Sequence, residues 1–90
     1  MTTITILTQS SCTSCERAKE VLSRLVLEYP LRVREIGLDT EEGRELAVRH
    51  GIVFAPGILI DADLFSYGRV SEKKFRRQLS RCHPATDAGA

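Results

Sequence analysis

Cys12 and Cys15 stand two residues apart at a change of period. Before them, Thr3-Ile4-Thr5-Ile6-Leu7-Thr8 alternates and then turns apolar, as a strand near the middle of a sheet does. After them, Ala18, Val21, Leu22, Leu25 and Tyr29 recur on one helical stripe up to about Glu28, and Pro30 stops the helix. Gln9-Ser10-Ser11 is the short loop between. The pair therefore sits where a strand hands over to a helix. A helix start leaves backbone N–H groups without internal partners and carries about half a positive charge. Both effects favour a thiolate over a thiol, and in such motifs the free-cysteine pKa of ~8.5 falls to roughly 3.5–7.5. One turn of helix also brings the two sulfurs within reach of a small disulfide ring. Cys12, at the helix mouth, is the expected nucleophile, and Cys15, one turn inside, the expected resolving thiol. Thr13 and Glu16 fit a Thr-x-x-Glu capping box, with Thr13 or Cys12 as the N-cap. Two unrelated packing cysteines are the bland alternative, and this placement disfavours it.

The rest of the composition leaves the cysteines free for chemistry. A chain of 90 residues makes one domain, and 42% hydrophobic content supports a core that needs no staples. Three cysteines, two of them three positions apart, are not the framework of a secreted disulfide-rich domain. Met1-Thr2-Thr3 leads straight into the first strand with no basic start and no cleavage site. No apolar stretch approaches the ~18–20 residues of a membrane span. The expectation is a soluble protein of a reducing cytoplasm. A formal net charge of +1 argues against a dedicated nucleic-acid binder.

Further along, Leu31 to Leu38 reads as a strand at a sheet edge, with Leu31, Val33 and Glu35 on one parity. Asp39 or Thr40 caps a short helix, Glu41 to Arg49, which His50-Gly51 ends. Gly57-Ile58-Leu59-Ile60-Asp61 is an apolar strand. A turn at Asp61-Ala62-Asp63 leads into Leu64-Phe65-Ser66-Tyr67, making a hairpin. Ser71 caps a last helix to about Cys82, with Phe75, Leu79 and Cys82 on its apolar stripe. The order β-α-β-α-β-β-α predicts an α/β chain with the first two strands parallel, the last two antiparallel, and helices on both faces of one mixed sheet.

That order, with Cys-x-x-Cys at the end of the first strand and a proline opening the third, resembles the thioredoxin fold in its smallest form, from about Thr3 to Arg81. The run Cys12-Thr13-Ser14-Cys15-Glu16-Arg17-Ala18-Lys19-Glu20-Val21-Leu22 is similar to the glutaredoxin active-site helix. His50-Gly51-Ile52-Val53-Phe54-Ala55-Pro56 is similar to the thioredoxin approach to its proline. Pro56 to Leu79, with Gly68-Arg69-Val70-Ser71, resembles small glutaredoxin-like thioredoxins. The resemblance implies a thioredoxin-like fold, three-layer α/β/α with a four-stranded mixed sheet, over residues 1–83, and the small polar stretch 84–90 is expected to be a disordered tail. It implies a cis Ala55–Pro56 bond beside the cysteines, with the Ala55 backbone presented to an extended substrate. There are departures from the family. Thr13-Ser14 stands between the cysteines where Gly-Pro or Pro-Tyr is common, and two hydroxyls there are expected to hydrogen-bond a thiolate. Ser11 replaces the Trp before the first cysteine. Ile6 replaces a buried acid, leaving water or Glu16 as proton acceptor for Cys15. At the turn before the last helix, Gly68, Ser71 and the helix start offer a place for a carboxylate.

The expected function is thiol–disulfide oxidoreductase chemistry in cell redox homeostasis and electron transport. Catalysis falls to Cys12 and Cys15, and substrate contacts to Thr13, Ser14, Ala55, Pro56 and Gly68. No cofactor and no metal is expected, and the chain is expected to be a monomer. Its partners would be a disulfide-containing protein substrate and a donor, either a flavoprotein thioredoxin reductase or a low-molecular-weight thiol; neither nucleic acid nor membrane is expected. The rival reading holds zinc or an iron–sulfur cluster on the same cysteines in a dimer. Cys82 is expected to pack, His50 to be a solvated helix end, and Lys73, Lys74, Arg76, Arg77 and Arg81 to form a solvated face, with an acidic partner as the functional alternative.

Overall fold

Each element forms where its period, caps and breakers place it. The computed structural model describes residues 2–82, with Cys82 described by its backbone alone. In chain order they form β1 (Thr2–Thr8), α1 (Thr13–Leu25), β2 (Leu31–Gly37), α2 (Glu41–His50), β3 (Gly57–Ile60), β4 (Asp63–Tyr67) and α3 (Glu72–Cys82). The sheet order is β2-β1-β3-β4. β1 and β2 are parallel, with Ile6 beside Glu35 and Thr8 beside Gly37. β3 runs antiparallel to both β1 and β4, and its first residue, Gly57, lies between Leu7 and Tyr67. The end of β1, the start of β3 and the end of β4 therefore share one end of the sheet. The expected order, mixed sheet and edge position of β2 are all present.

Alternation along β1 and β3 splits the core in two. Ile4, Ile6, Ile58 and Ile60 face α1 and α3, where they meet Ala18, Val21, Leu22, Leu25, Phe75 and Leu79. The opposite parity, Leu7 and Leu59, joins Ile36 and Ile52 under the half-buried Leu46 and Ala47 of α2. The Phe65 and Phe75 rings pack tilted, centroids 4.9 Å apart, pinning α3 to β4. Layers thus lie on both faces of the sheet, α1 and α3 on one, α2 on the other.

Local chemistry sets the boundaries. Thr40 caps α2, its Oγ1 accepting from Gly43 N at 3.0 Å. Gly51 closes α2 in the left-handed region, φ 66°. Gly43 packs so closely on the backbone oxygen of Gly37 that a side chain there has no room. In the hairpin turn Asp61 is left-handed, φ 56°, and is tied to β1 twice: its N donates to Thr3 O and its Oδ1 accepts from Thr3 N.

Two boundary expectations are corrected. α1 ends at Leu25, not near Glu28, and the chain passes through turns to Tyr29. There Leu27 N and Glu28 N bond three residues back, to Arg24 O and Leu25 O. This is the tightening expected where the residue before a proline is steered out of the helical region. Tyr29 still packs on the core. The Thr13–Glu16 box is not the cap: Cys12 is the N-cap, Thr13 is already helical, and the Glu16 carboxylate pairs with Lys19 at 3.1 Å. The expectations for the Cys82 side chain and for residues 84–90 lie outside the described residues.

Candidate active site

β1 delivers Cys12 to the same sheet end at which β3 starts and β4 stops. To turn from strand into helix, the chain passes Ser11 at φ 54°, a left-handed conformation uncommon for a residue with a side chain. Cys12 follows with extended dihedrals and caps α1 through its own sulfur, Sγ accepting from Cys15 N at 3.1 Å. One of the orphan amides of the helix start is therefore aimed at sulfur. That amide, with the positive end of the helix, holds negative charge at Sγ when the pair is reduced. Cys12 and Cys15 are joined as a disulfide with Cα atoms 5.2 Å apart. Cys12 is part-exposed, whereas Cys15 is 1% exposed. Of the two cysteines, Cys12 is therefore the one open to the surface. The Thr13 and Ser14 hydroxyls are exposed, and the donor that reaches Cys12 Sγ is the Cys15 amide, not either hydroxyl.

The second wall comes from the segment before β3. Ala55–Pro56 is cis. Pro56 is buried and its carbonyl accepts from Gly68 N at 2.8 Å, so the segment entering β3 is laced to the one leaving β4. Gly68 has φ 86°, and a side chain there would lie 3.7 Å from Phe54 Cβ. Ahead of the proline, Val53 and Phe54 stay 69% and 65% exposed, an apolar lip on the segment that leads into β3.

The sequence did not single out several of these neighbours. Val53 and Phe54 carried a readable signal, two large apolar residues in a loop between Gly51 and Pro56. Arg17 and Arg69 did not: they are far apart in sequence, yet line one cavity with Ser14. Glu35, on β2, accepts from Thr8 Oγ1 at 3.1 Å and Lys19 Nζ at 3.5 Å, placing a carboxylate beside the end of β1. Glu16, one of the two proton acceptors expected for Cys15, is instead exposed and paired with Lys19. Among the described residues no group of three or more His, Cys, Asp or Glu side chains is placed to hold a metal ion. Nor is any described helix long and apolar enough to cross a membrane.

A helix-capping cysteine, bonded to a buried partner one turn on and set in a mixed four-stranded sheet, defines a thiol–disulfide oxidoreductase. The chain belongs to the thioredoxin domain family, whose model matches residues 2–81. Solved structures share the fold. A mutant thioredoxin from Halobacterium salinarum is 18% identical with a TM-score of 0.70, over 89% of this chain and 73% of that one. An uncharacterised thioredoxin-like protein from Clostridium perfringens is 16% identical, TM-score 0.74, over 90% and 70%. The oxidised mitochondrial thioredoxin 3 of Saccharomyces cerevisiae is 15% identical, TM-score 0.68, over 89% and 77%. No curated protein matches the chain in sequence.

Proposed function

We propose that the protein reduces disulfides in other proteins, with Cys12 as nucleophile and Cys15 as resolving thiol. The Cys12 thiolate attacks one sulfur of the substrate disulfide. That S–S bond breaks, a mixed disulfide forms at Cys12, and the other substrate sulfur leaves as a thiolate and takes a proton from water. Cys15 loses its proton and attacks Cys12 Sγ, which breaks the mixed bond, closes the Cys12–Cys15 disulfide and releases the second substrate sulfur as a thiolate that takes up that proton. Two electrons pass from the pair to the substrate, with one proton from Cys15 and one from water. The Ala55 backbone, Pro56 and Gly68 receive the extended substrate, and Thr13 and Ser14 flank the reacting sulfur. An external donor, a flavoprotein reductase or a low-molecular-weight thiol, resets the pair. The setting that suits this cycle is a reducing cytoplasm and the working unit is the single chain.

The observation that carries this reading is the Cys15 amide pointing at a part-exposed Cys12 Sγ while Cys15 itself is buried. Reduction of insulin with dithiothreitol tests it. Cys12→Ser is expected to lose turnover altogether, and Cys15→Ser to stall as a mixed disulfide with the substrate, visible by mass spectrometry. Full activity in Cys12→Ser rejects the assignment. Competition between glutathione and a thioredoxin reductase for the oxidised pair identifies the donor.

A further inference from the structure

Arg69, in the loop between β4 and α3, lies between two cavities. The first, of about 410 Å³, is lined by Ser14, Arg17, Ala18, Arg69 and Val70. The second, of about 300 Å³, is lined by Phe65, Ser66, Arg69, Ser71 and Lys74. Sharing Arg69 as a wall, they adjoin, and the track they make together runs from the first turn of α1, at the residue before Cys15, to the first turn of α3. Resting on the thiol–disulfide reading above, we propose that this track docks an acidic segment flanking the disulfide of a protein substrate.

Charge carries the argument. Arg17, Arg69 and Lys74 are exposed and make no ion pair among the described residues. No acidic side chain lines either cavity. The acids closest along the chain are engaged elsewhere. Glu16 pairs with Lys19 at 3.1 Å, and Glu72, in the first turn of α3, is held by Arg24 at 2.7 Å and Arg76 at 3.0 Å. Arg17 and Arg69 thus line a cavity beside the active-site helix and Lys74 lines the adjoining one, in a chain whose formal net charge is only +1, so the grouping is not the by-product of a generally basic protein. A second, independent feature lies in the same track: Ser66 Oγ is buried and has no hydrogen-bond partner among the described residues. A small shift that brings that hydroxyl to the cavity surface would let a carboxylate held between Arg69 and Lys74 accept from it. The first turn of α3 adds the positive end of its dipole, with Ser71 Oγ accepting from Lys74 N at 3.3 Å.

The geometry fixes what kind of ligand fits. The track opens beside Ser14, and an extended chain advances about 3.3 Å per residue. The favoured substrate therefore carries Asp or Glu within a few residues of the cysteine that Cys12 attacks. Rim charges of this sort act chiefly on the rate of encounter and on the choice of partner.

Two disulfide peptides of one sequence, with Glu-Glu or Gln-Gln beside the reacting cysteine, test this with the full chain. Wild type is expected to reduce the acidic peptide with kcat/KM about tenfold higher at low ionic strength, the ratio shrinking as salt is raised. In the double variant Arg17→Gln, Arg69→Gln the ratio is expected to approach one. Lys73→Gln removes a charge from the first turn of α3 but from neither cavity wall, and is expected to keep the wild-type ratio. If wild type reduces both peptides equally, or if the double variant keeps the full preference, the docking track is wrong while the redox assignment stands. If only a small carboxylated disulfide such as glutathione disulfide depends on the two arginines, a protein segment is not the occupant and the proposal falls. If neither peptide nor insulin is reduced by folded protein, the redox assignment itself fails and takes the track with it.

Discussion

Hydrogen-bonding a backbone amide onto Cys12 Sγ makes the sulfur both a structural cap and a reactive group. As a cap it resembles the side-chain oxygen of Ser or Asp at a helix start; as a group facing the positive helix end it is biased towards ionisation. The reduced protein is therefore expected to show a Cys12 thiolate titrating below the range of a free cysteine. Thiolate absorbance followed against pH measures it, with Cys12→Ser as the blank; a midpoint near the free value contradicts the role given to the amide. The chemistry at this residue was legible beforehand because it is local: four successive residues and a change of period define it. The cations of the neighbouring cavity were not, because Arg17 and Arg69 meet only after β2, α2, β3 and β4 have returned the chain to the same sheet end. The capping residue was legible only as a choice between Thr13 and Cys12. A Thr-x-x-Glu pattern describes which groups are able to cap; it does not say that Lys19 will take the glutamate.

Among the elements, the two helices on one sheet face are joined by charge as well as by apolar contact. Arg76 of α3 forks onto Glu28 at 2.6 and 2.7 Å and onto Glu72, which also binds Arg24 of α1 at 2.7 Å. The hydrogen bonds from Arg76 hold the Glu28 carboxyl below the usual carboxylate value of 4.5, and those from Arg24 and then Arg76 do the same for Glu72. Depressed carboxyl values mean stability that is complete above the ordinary value and is lost as pH falls through the lowered ones. Arg76→Gln is thus expected to lower the thermal midpoint at pH 7. The gap from wild type should close on acidification below 4.5 and narrow in high salt, since all these groups face solvent. Thermal melts at pH 7 and pH 3 decide it. On the other face, Gly43→Ala would drive a methyl group into the Gly37 carbonyl oxygen, backbone against backbone. Urea unfolding is expected to show a loss of about 1–3 kcal/mol. Gly57→Ala meets the Ile52 side chain, 2.9 Å from Cδ1 and 3.1 Å from Cγ2, rather than backbone, and should cost less. Helix and strand identities were readable because their periods differ. The end of α1 was misread because Tyr29 keeps the helical spacing of the apolar stripe while the backbone beneath it has already left the helix.

Taken whole, the molecule is unevenly built around its sheet. Five residues of α1 are buried, and α3 plants Phe75 and Leu79 beside them, whereas α2 buries only Gly43 and rests Leu46 and Ala47 half-covered on a smaller cluster. Opening free energy follows buried apolar contact. Native-state hydrogen exchange is expected to show α2 amides exchanging through an opening that leaves β1 and α1 protected; uniform exchange across the three elements contradicts the two-core description. The layered architecture and the parallel first pair of strands were visible in element order alone, because right-handed crossovers and short hairpins leave few alternatives. The lateral order was visible in part: β1 read as a central strand, β3 and β4 as a hairpin, and β2, with Arg32, Arg34 and Glu35, as an exposed edge. That β1 lies between β2 and β3, and so points the cysteines at the start of β3, depends on long-range pairing that no single segment records.

Ser11 narrows what evolution or engineering is able to write just ahead of the reactive sulfur. Its left-handed backbone suits glycine, asparagine or aspartate and penalises any β-branched side chain by roughly 1–2 kcal/mol. In a saturation library scored for folded, active protein, this position should tolerate small turn formers and shed valine and isoleucine, even though no atom of its side chain takes part in the reaction.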